Sequence, residues 1–549
     1  MEFFKEFLKT LFLNLIILLS ASAATLLFLQ CTLKRSSFME NENMPLNNQK
    51  NTAMEIFPET IVTGNFFTKG DIDTYKLSLP KGSKGDYFAE LNWLKVPDKI
   101  VLSITVQDEQ NVLKWYNNNY IRKATNDSLC LKPIFLESGK NYYLRVKEET
   151  HNRKYHSTPE ILYSFQFAIE SYKPNMESES NDSPLTANKL ELDKEMQGFY
   201  TPWVNLINKD NFGIEDDWFE LDLSAHKNKK LSVTLSGVTG VNSFLEIYDD
   251  LQIRLATYDS NEFGEGEKIA NFRITEEKKY FLVVGQRGSN ADEPYNLLAT
   301  VNDIPENEEK EQNDNYYSAN QIQVNQSIQG FLNPLQDEDF FQFKLRNKAV
   351  LKIQVGLVKD VDPYISVFNE KKELIFNLNN TGIAEAEIMP NLGLERGIYY
   401  IKLENAVNSN AKDNPDNMYS LLIQNQQMNE LYEVEINNTY QEAKKISYGK
   451  TYKGFISPRF DEDFYSFSLT KAPQKLRINC LMEDQHPAIA ILQLKNNVLR
   501  SITVIKTKEK IYQINKDIEL REPGAYYIKV FESFDDFDST KPYILEIFQ

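Results

Sequence analysis

Two heptads, DEDFFQF (Asp337 to Phe343) and DEDFYSF (Asp461 to Phe467), stand 124 residues apart. A fixed period constrains the fold more than composition does, because each copy must build the same unit. The residues around the heptads keep the same ruler. Gly330 and Gly454 each stand nine residues before Asp339 and Asp463. Eleven residues ahead of each glycine is an alanine, Ala319 or Ala443, and six ahead of that an asparagine, Asn313 or Asn437. A spaced glutamate pair precedes each: Glu309 and Glu311, then Glu433 and Glu435.

The same spacing finds two earlier copies. One has Glu177, Glu179, Asn181, Ala187 and Gly198, but its aspartates, Asp216 and Asp217, come late; Asp217 is nineteen residues after the glycine, an insertion of ten. The first copy has Asn47, Ala53, Gly64, Asp71 and Asp73, with Asn43 and Pro45 where the glutamates would be. All four close alike, on GKNYYLRV, KKYFLVV, RGIYYIKL and PGAYYIKV, each followed by a last strand: YSFQFAI, YNLLATV, YSLLIQN and YILEIFQ. From asparagine to asparagine the period is 124 to 134 residues, too long for a solenoid unit and right for whole domains.

Within each copy apolar residues alternate with period two between turn residues, as in DFYSFSL and KLRINCLM. The 34 Phe and 29 Tyr favour half-buried strands, and no long helical pattern follows residue 30. The reading is all-β: four tandem jelly-roll-like antiparallel β-sandwich domains over 47–174, 175–305, 306–428 and 429–549. A hydrophobic signal or anchor helix precedes them at 1–31, then a polar tether at 32–46.

The N-terminal stretch LFLNLIILLSASAATLLFLQ is long enough to span a bilayer. It ends at Cys31 and resembles a bacterial lipoprotein signal, which implies lipidation at Cys31; Leu29 and Gln30 depart from the small residues a strict lipobox has before the cysteine. An uncleaved anchor and ordinary cleavage near residues 21–23 are the other two readings. All three export the rest of the chain to the bacterial cell envelope, periplasmic or surface-exposed, and two keep it on the membrane. A net charge of −18 argues against nucleic acid as a partner. Three cysteines and four histidines, without CxxC or HExxH spacing, leave no zinc motif.

The acidic lead-in, the glycine before a DxDxF/Y strand and the late GxYY strand resemble the bacterial pre-peptidase C-terminal (PPC) domain over residues 44–549. Collagen-binding domains of bacterial collagenases are related to it. The resemblance implies an exported accessory or binding module, without catalysis, and calcium where the lead-in meets the DxD strand. The residues point the same way independently. Alternate residues of an extended segment share a side, so Glu433, Glu435 and Asn437 face one way and Asp461 and Asp463 do the same on their strand; brought together as the resemblance implies, the two faces offer five possible ligand residues. Calcium takes six to eight oxygens, and carboxylates gathered without a cation repel. The candidate ligands are Glu309, Glu311, Asn313, Asp314, Asp337 and Asp339 in copy three; Glu177, Glu179, Asn181, Asp182 and Asp217 in copy two; and Glu433, Glu435, Asn437, Asp461 and Asp463 in copy four. In copy four Asn438 replaces the trailing aspartate. Copy one is expected to hold no metal. The plainer alternative is that the lead-ins are solvated and the aspartates close turns.

In YYIKV, Tyr526 shares its side with Ile528 and Val530, so it belongs to the core and Tyr527 to the outside; Tyr399 and Tyr400 divide likewise. The outer tyrosines suit either a binding face or cross-strand packing. No GxSxG, HExxH, Walker loop or GxGxxG occurs. The DxD pairs recur in every copy, as a fold signature does, so the chain is read as a non-enzyme. Two functions fit: a surface binding protein or adhesin for an extracellular protein or glycan, or a structural, assembly or hydrolase-accessory component of the envelope. No residue pattern singles out ligand-binding residues for the adhesin.

Overall fold

The computed structural model describes residues 37–39, 47–67, 70–79, 87–95, 101–110, 113–118, 130–137, 139–149, 162–171, 173–178, 181–200, 203–204, 212–213, 216–288, 290–406, 411–508, 510–534 and 536–549. The hydrophobic N-terminal segment and Cys31 lie outside them. The described residues are all-β, with no α-helix. Four pairs of sheets form, one pair from each repeat.

The third repeat shows the plan. Its five-stranded sheet runs in the order Asn320–Gln321, Glu338–Leu345, Gly397–Asn405, Pro363–Asn369, Leu374–Leu378. Its four-stranded sheet runs Ser327–Gly330, Tyr419–Gln426, Ala349–Val355, Glu387–Leu394. The second and fourth repeats have the same order, and the first has two five-stranded sheets. Ser37–Met39, inside the stretch read as a tether, pairs with Ile61–Gly64 and adds a parallel strand to the first repeat.

Alternation decides what the sheets enclose. In Glu338–Leu345, Phe341, Phe343 and Leu345 turn into the core, where they meet Ile401, Leu403 and Tyr419. Tyr465, Phe467 and Leu469 do the same in the fourth repeat. The heptad is therefore a core strand with period two. The short strand that precedes it runs parallel to it, whereas the other named strands of these two repeats pair antiparallel: Asn320 sits opposite Phe341, and Lys444 opposite Tyr465.

The tyrosine pairs divide as their alternation requires. Tyr399 and Tyr526 are buried, and their hydroxyls donate to the carbonyls of Glu395 (2.9 Å) and Glu522 (2.7 Å). Tyr400 and Tyr527 are half-buried on the outer face. There each meets, edge-on, a tyrosine from the lead-in, Tyr316 at 5.2 Å and Tyr440 at 5.6 Å. Packing, rather than an open binding face, is what these outer tyrosines do.

Candidate metal centre

The lead-in of each later repeat is fastened to both sheets. Its first glutamate bonds alongside the glycine strand: Glu309 N–H donates to Gln329 O, and Glu433 N–H to Lys453 O, each at 2.8 Å. Its asparagine then meets the DxD strand. The carbonyl of Asn313 accepts from Phe340 N–H (3.0 Å), that of Asn437 from Phe464 (3.1 Å), that of Asn181 from Trp218 (2.9 Å), and that of Asn47 from Thr74 (3.0 Å). The fold thus brings the lead-in carboxylates against the aspartates in every copy that has both.

A tyrosine completes the arrangement. The Tyr419 hydroxyl lies 2.6 Å from Glu309 Oε2 and 2.8 Å from Asp339 Oδ2. Tyr295 joins Glu177 (2.6 Å) to Asp217 (2.7 Å), and Tyr543 joins Glu433 (3.0 Å) to Asp463 (2.8 Å). The first repeat lacks the glutamate but keeps Tyr163 on Asp73 at 2.5 Å. The other oxygen of the glutamate accepts the backbone N–H after the glycine, from Phe199 (2.5 Å), Phe331 (2.6 Å) or Phe455. This close approach is why the landmark must be glycine. A Cβ at Gly198, Gly330 or Gly454 would collide with that carboxylate and with the tyrosine ring or hydroxyl.

The first glutamate is therefore fully occupied by hydrogen bonds, and the remaining donors are not. In the third repeat, Glu311 Oε1, Asn313 Oδ1 and Asp339 Oδ1 are buried without a hydrogen-bond partner. In the fourth, the same three places, Glu435 Oε1, Asn437 Oδ1 and Asp463 Oδ1, are orphaned too. Carboxylate oxygens of Glu309, Glu311 and Asp339 lie within 4.8 Å of one another, as do those of Glu311, Asp314 and Asp337, and those of Glu433, Glu435 and Asp463.

Except at Asp314, which is exposed, burial of these acids is nearly complete: Asp339 and Asp463 are 0 % exposed. Asp463 stands at the start of its strand yet is wholly enclosed, because the lead-in covers it. Burial first, then neighbouring carboxylates, raise Glu311, Asp337, Asp339, Glu435, Asp461 and Asp463 well above the ordinary range. Glu433 is raised by burial and by Asp463. Burial also pushes Glu309 up to about 7 and Asp217 to about 8. Two like charges at 4 Å repel by about 4 kcal/mol at an effective dielectric constant of 20, and each buried charge loses several kcal/mol of hydration. One tyrosine proton, moreover, serves only one of its two carboxylates as a linear hydrogen bond. The cluster needs protons or a cation. Carboxylate and amide oxygens alone, with no nitrogen or sulfur, are donors for a hard cation of the calcium type.

The two aspartates of the DxD differ in task. Asp337 accepts from Asn333 N–H at 2.9 Å, Asp461 from Ser457 N–H at 3.0 Å, and Asp71 from Phe67 N–H at 2.9 Å. The first aspartate thus closes the loop in front of the strand, including in the repeat without glutamates. In the second repeat Glu177, Asn181 and Asp217 are buried around Tyr295, while Asp182 is exposed; Glu179 lies outside the described residues. The residues that sequence reasoning missed are the four tyrosines. Their signal was available, since each closing strand begins with one. Also missed were Asn271 and Asn391, which reach across from the preceding repeat to Glu309 (2.8 Å) and Glu433 (3.0 Å).

Fold and site together define a tandem β-sandwich protein with buried, oxygen-only carboxylate clusters where its repeats meet. No family model matches the chain, and no curated protein matches it. Among solved structures it has weak similarity to the pre-peptidase C-terminal domain of collagenase from Bacillus anthracis: 19% identity over 19% of this chain and 93% of that one, TM-score 0.17. A protein of Eubacterium rectale described as secreted is 10% identical over 43% of this chain and 80% of its own, TM-score 0.16. The CUB1-EGF-CUB2 domains of human MASP-1/3 are 9% identical over 42% of this chain and 98% of that one, TM-score 0.14.

Proposed function

We propose that this is an exported, membrane-anchored, non-catalytic binding protein whose sandwich repeats are stabilised by calcium. The observation that carries the metal is the repetition of three buried, unpartnered oxygens at matching positions of the third and fourth repeats. Glu311, Asn313 and Asp339, or Glu435, Asn437 and Asp463, would hold the ion. The first glutamate would stay with its tyrosine. Calcium there supplies the positive charge that the buried carboxylates lack and fastens the lead-in to the DxD strand.

The test is thermal unfolding in calcium, in magnesium and in chelator. With a Kd of about 10⁻⁴ M, as in weak extracellular sites, calcium at about a hundred times that concentration stabilises each site by about 2.7 kcal/mol. Magnesium demands a tighter octahedral shell and should do less. No rise in melting temperature with calcium, or an equal rise with magnesium, would remove the assignment. Membrane anchoring is tested apart, by mass spectrometry of the mature N-terminus; an intact Met1 would sink lipidation at Cys31.

A second reading, a structural spacer of the envelope, is favoured by the junctions. An asparagine of one repeat holds the lead-in glutamate of the next at both the 2–3 and 3–4 boundaries. Proteolysis of intact cells separates the readings: cleavage favours a surface-exposed binding protein, and resistance a periplasmic spacer.

A further inference from the structure

In the fourth repeat the strand Val498–Lys506 closes the five-stranded sheet and is paired along one edge only, to Pro487–Lys495. It has nine residues, whereas the strands in the same place in the second and third repeats, Arg254–Tyr258 and Leu374–Leu378, have five. Ile505 packs towards the core, and its neighbour Val504 points the other way. Val498, Ile502 and Val504 are 52%, 45% and 51% exposed. A long, exposed, apolar edge is a template for another strand.

The loop after this strand has a precedent inside the molecule. In the third repeat the corresponding loop supplies Asn380, whose side-chain oxygen accepts Arg459 N–H of the fourth repeat at 2.8 Å. In the second it supplies Ser260, which donates to Asp413 of the third at 2.8 Å. Two repeats use this loop to hold a neighbouring domain. In the fourth the same loop presents Ile511 and Tyr512 to solvent. Charge is distinctive here as well. Residues 498–512 contain Arg500, Lys506, Lys508 and Lys510 against one acid, Glu509, in a chain of net charge −18.

We propose that Val498–Lys506 and the loop after it form a docking edge for an extended, acidic segment of another protein, which joins the sheet as a further strand. Backbone N–H and C=O groups along the edge call for a polypeptide, since a polysaccharide or lipid surface offers no matching ladder. The four cations select for acidic side chains and speed encounter with them. The same cations disfavour pairing with an identical strand, so a second copy of this chain is not the occupant.

The experiment measures fluorescence anisotropy of a labelled seven-residue peptide of alternating Glu and Val against the full chain, with a Lys and Val peptide as its counterpart. The acidic peptide binds saturably, more weakly as salt rises, and the basic one does not. Val504→Glu weakens binding by about tenfold or more, while Val504→Lys, an equal change in polarity at the same exposed position, does not. Lys508→Glu with Lys510→Glu, which leaves the strand untouched, weakens it too. Equal binding of both peptides, equal loss in both Val504 variants, or no saturable binding would overturn the proposal. So would dimerisation of the unliganded chain that Val504→Glu abolishes.

Discussion

Tyr419 is the residue on which the third cluster turns. Its hydroxyl is buried between Glu309 and Asp339, within hydrogen-bond distance of both. Tyr419→Phe keeps the ring but leaves two buried carboxylate oxygens unserved. The expected loss is about 1–3 kcal/mol of unfolding free energy in chelator, read from urea denaturation. A change smaller than the error would show the hydroxyl to be dispensable. The aspartates were legible from the sequence because DxD is a compact pattern. The tyrosine was visible as the first residue of every closing strand, but its partner was not, because Asp339 lies 80 residues away and only sheet closure brings the two together.

At the scale of the element, the lead-in segment behaves as a pH-sensitive strap. Its acids, Glu309 at about 7 and Glu311 well above its ordinary value, bind protons more tightly in the folded state than at the ordinary value of 4.5. A folded state that holds more protons than the unfolded one gains stability below the unfolded value and loses it as pH rises through the folded one. In chelator, stability should therefore fall between about pH 4.5 and pH 7, and saturating calcium should flatten the slope, because the ion replaces the protons. Chemical denaturation across this range checks it; stability rising with pH in chelator would contradict the strap. The strap's alternation was readable, since Glu, Glu and Asn at i, i+2 and i+4 share a side. That it bonds to both sheets at once was not, because hydrogen bonding between distant strands leaves no local pattern.

For the whole molecule, the clusters sit where one repeat meets the next. Asn391 donates to Glu433 at 3.0 Å, and Glu435 N–H donates to Asn391 O at 3.0 Å, so this asparagine ties the third repeat to the fourth. Asn391→Ala removes a bond to a carboxylate worth about 1.5–3 kcal/mol if that group is charged. Limited proteolysis should then cut faster between residues 427 and 434, with the melting of each repeat little changed. An unaltered cleavage rate would place the strength of the junction elsewhere. The fourth repeat has no asparagine at the corresponding place: Asp517 stands there, exposed, and pairs with Arg477.

The sequence by itself determined the β class, the fourfold repeat and the acids that gather. Strand alternation and fixed spacing are local, and local pattern survives in one dimension. Tertiary structure decided which of those acids carry hydrogen bonds and which are left with unpartnered oxygens. It also decided why the landmark glycine admits no side chain and how one repeat reaches into the next. Those depend on burial and on contacts between residues far apart in the chain, such as Glu309 and Tyr419, 110 positions apart, and burial is what makes a carboxylate there need a proton or an ion.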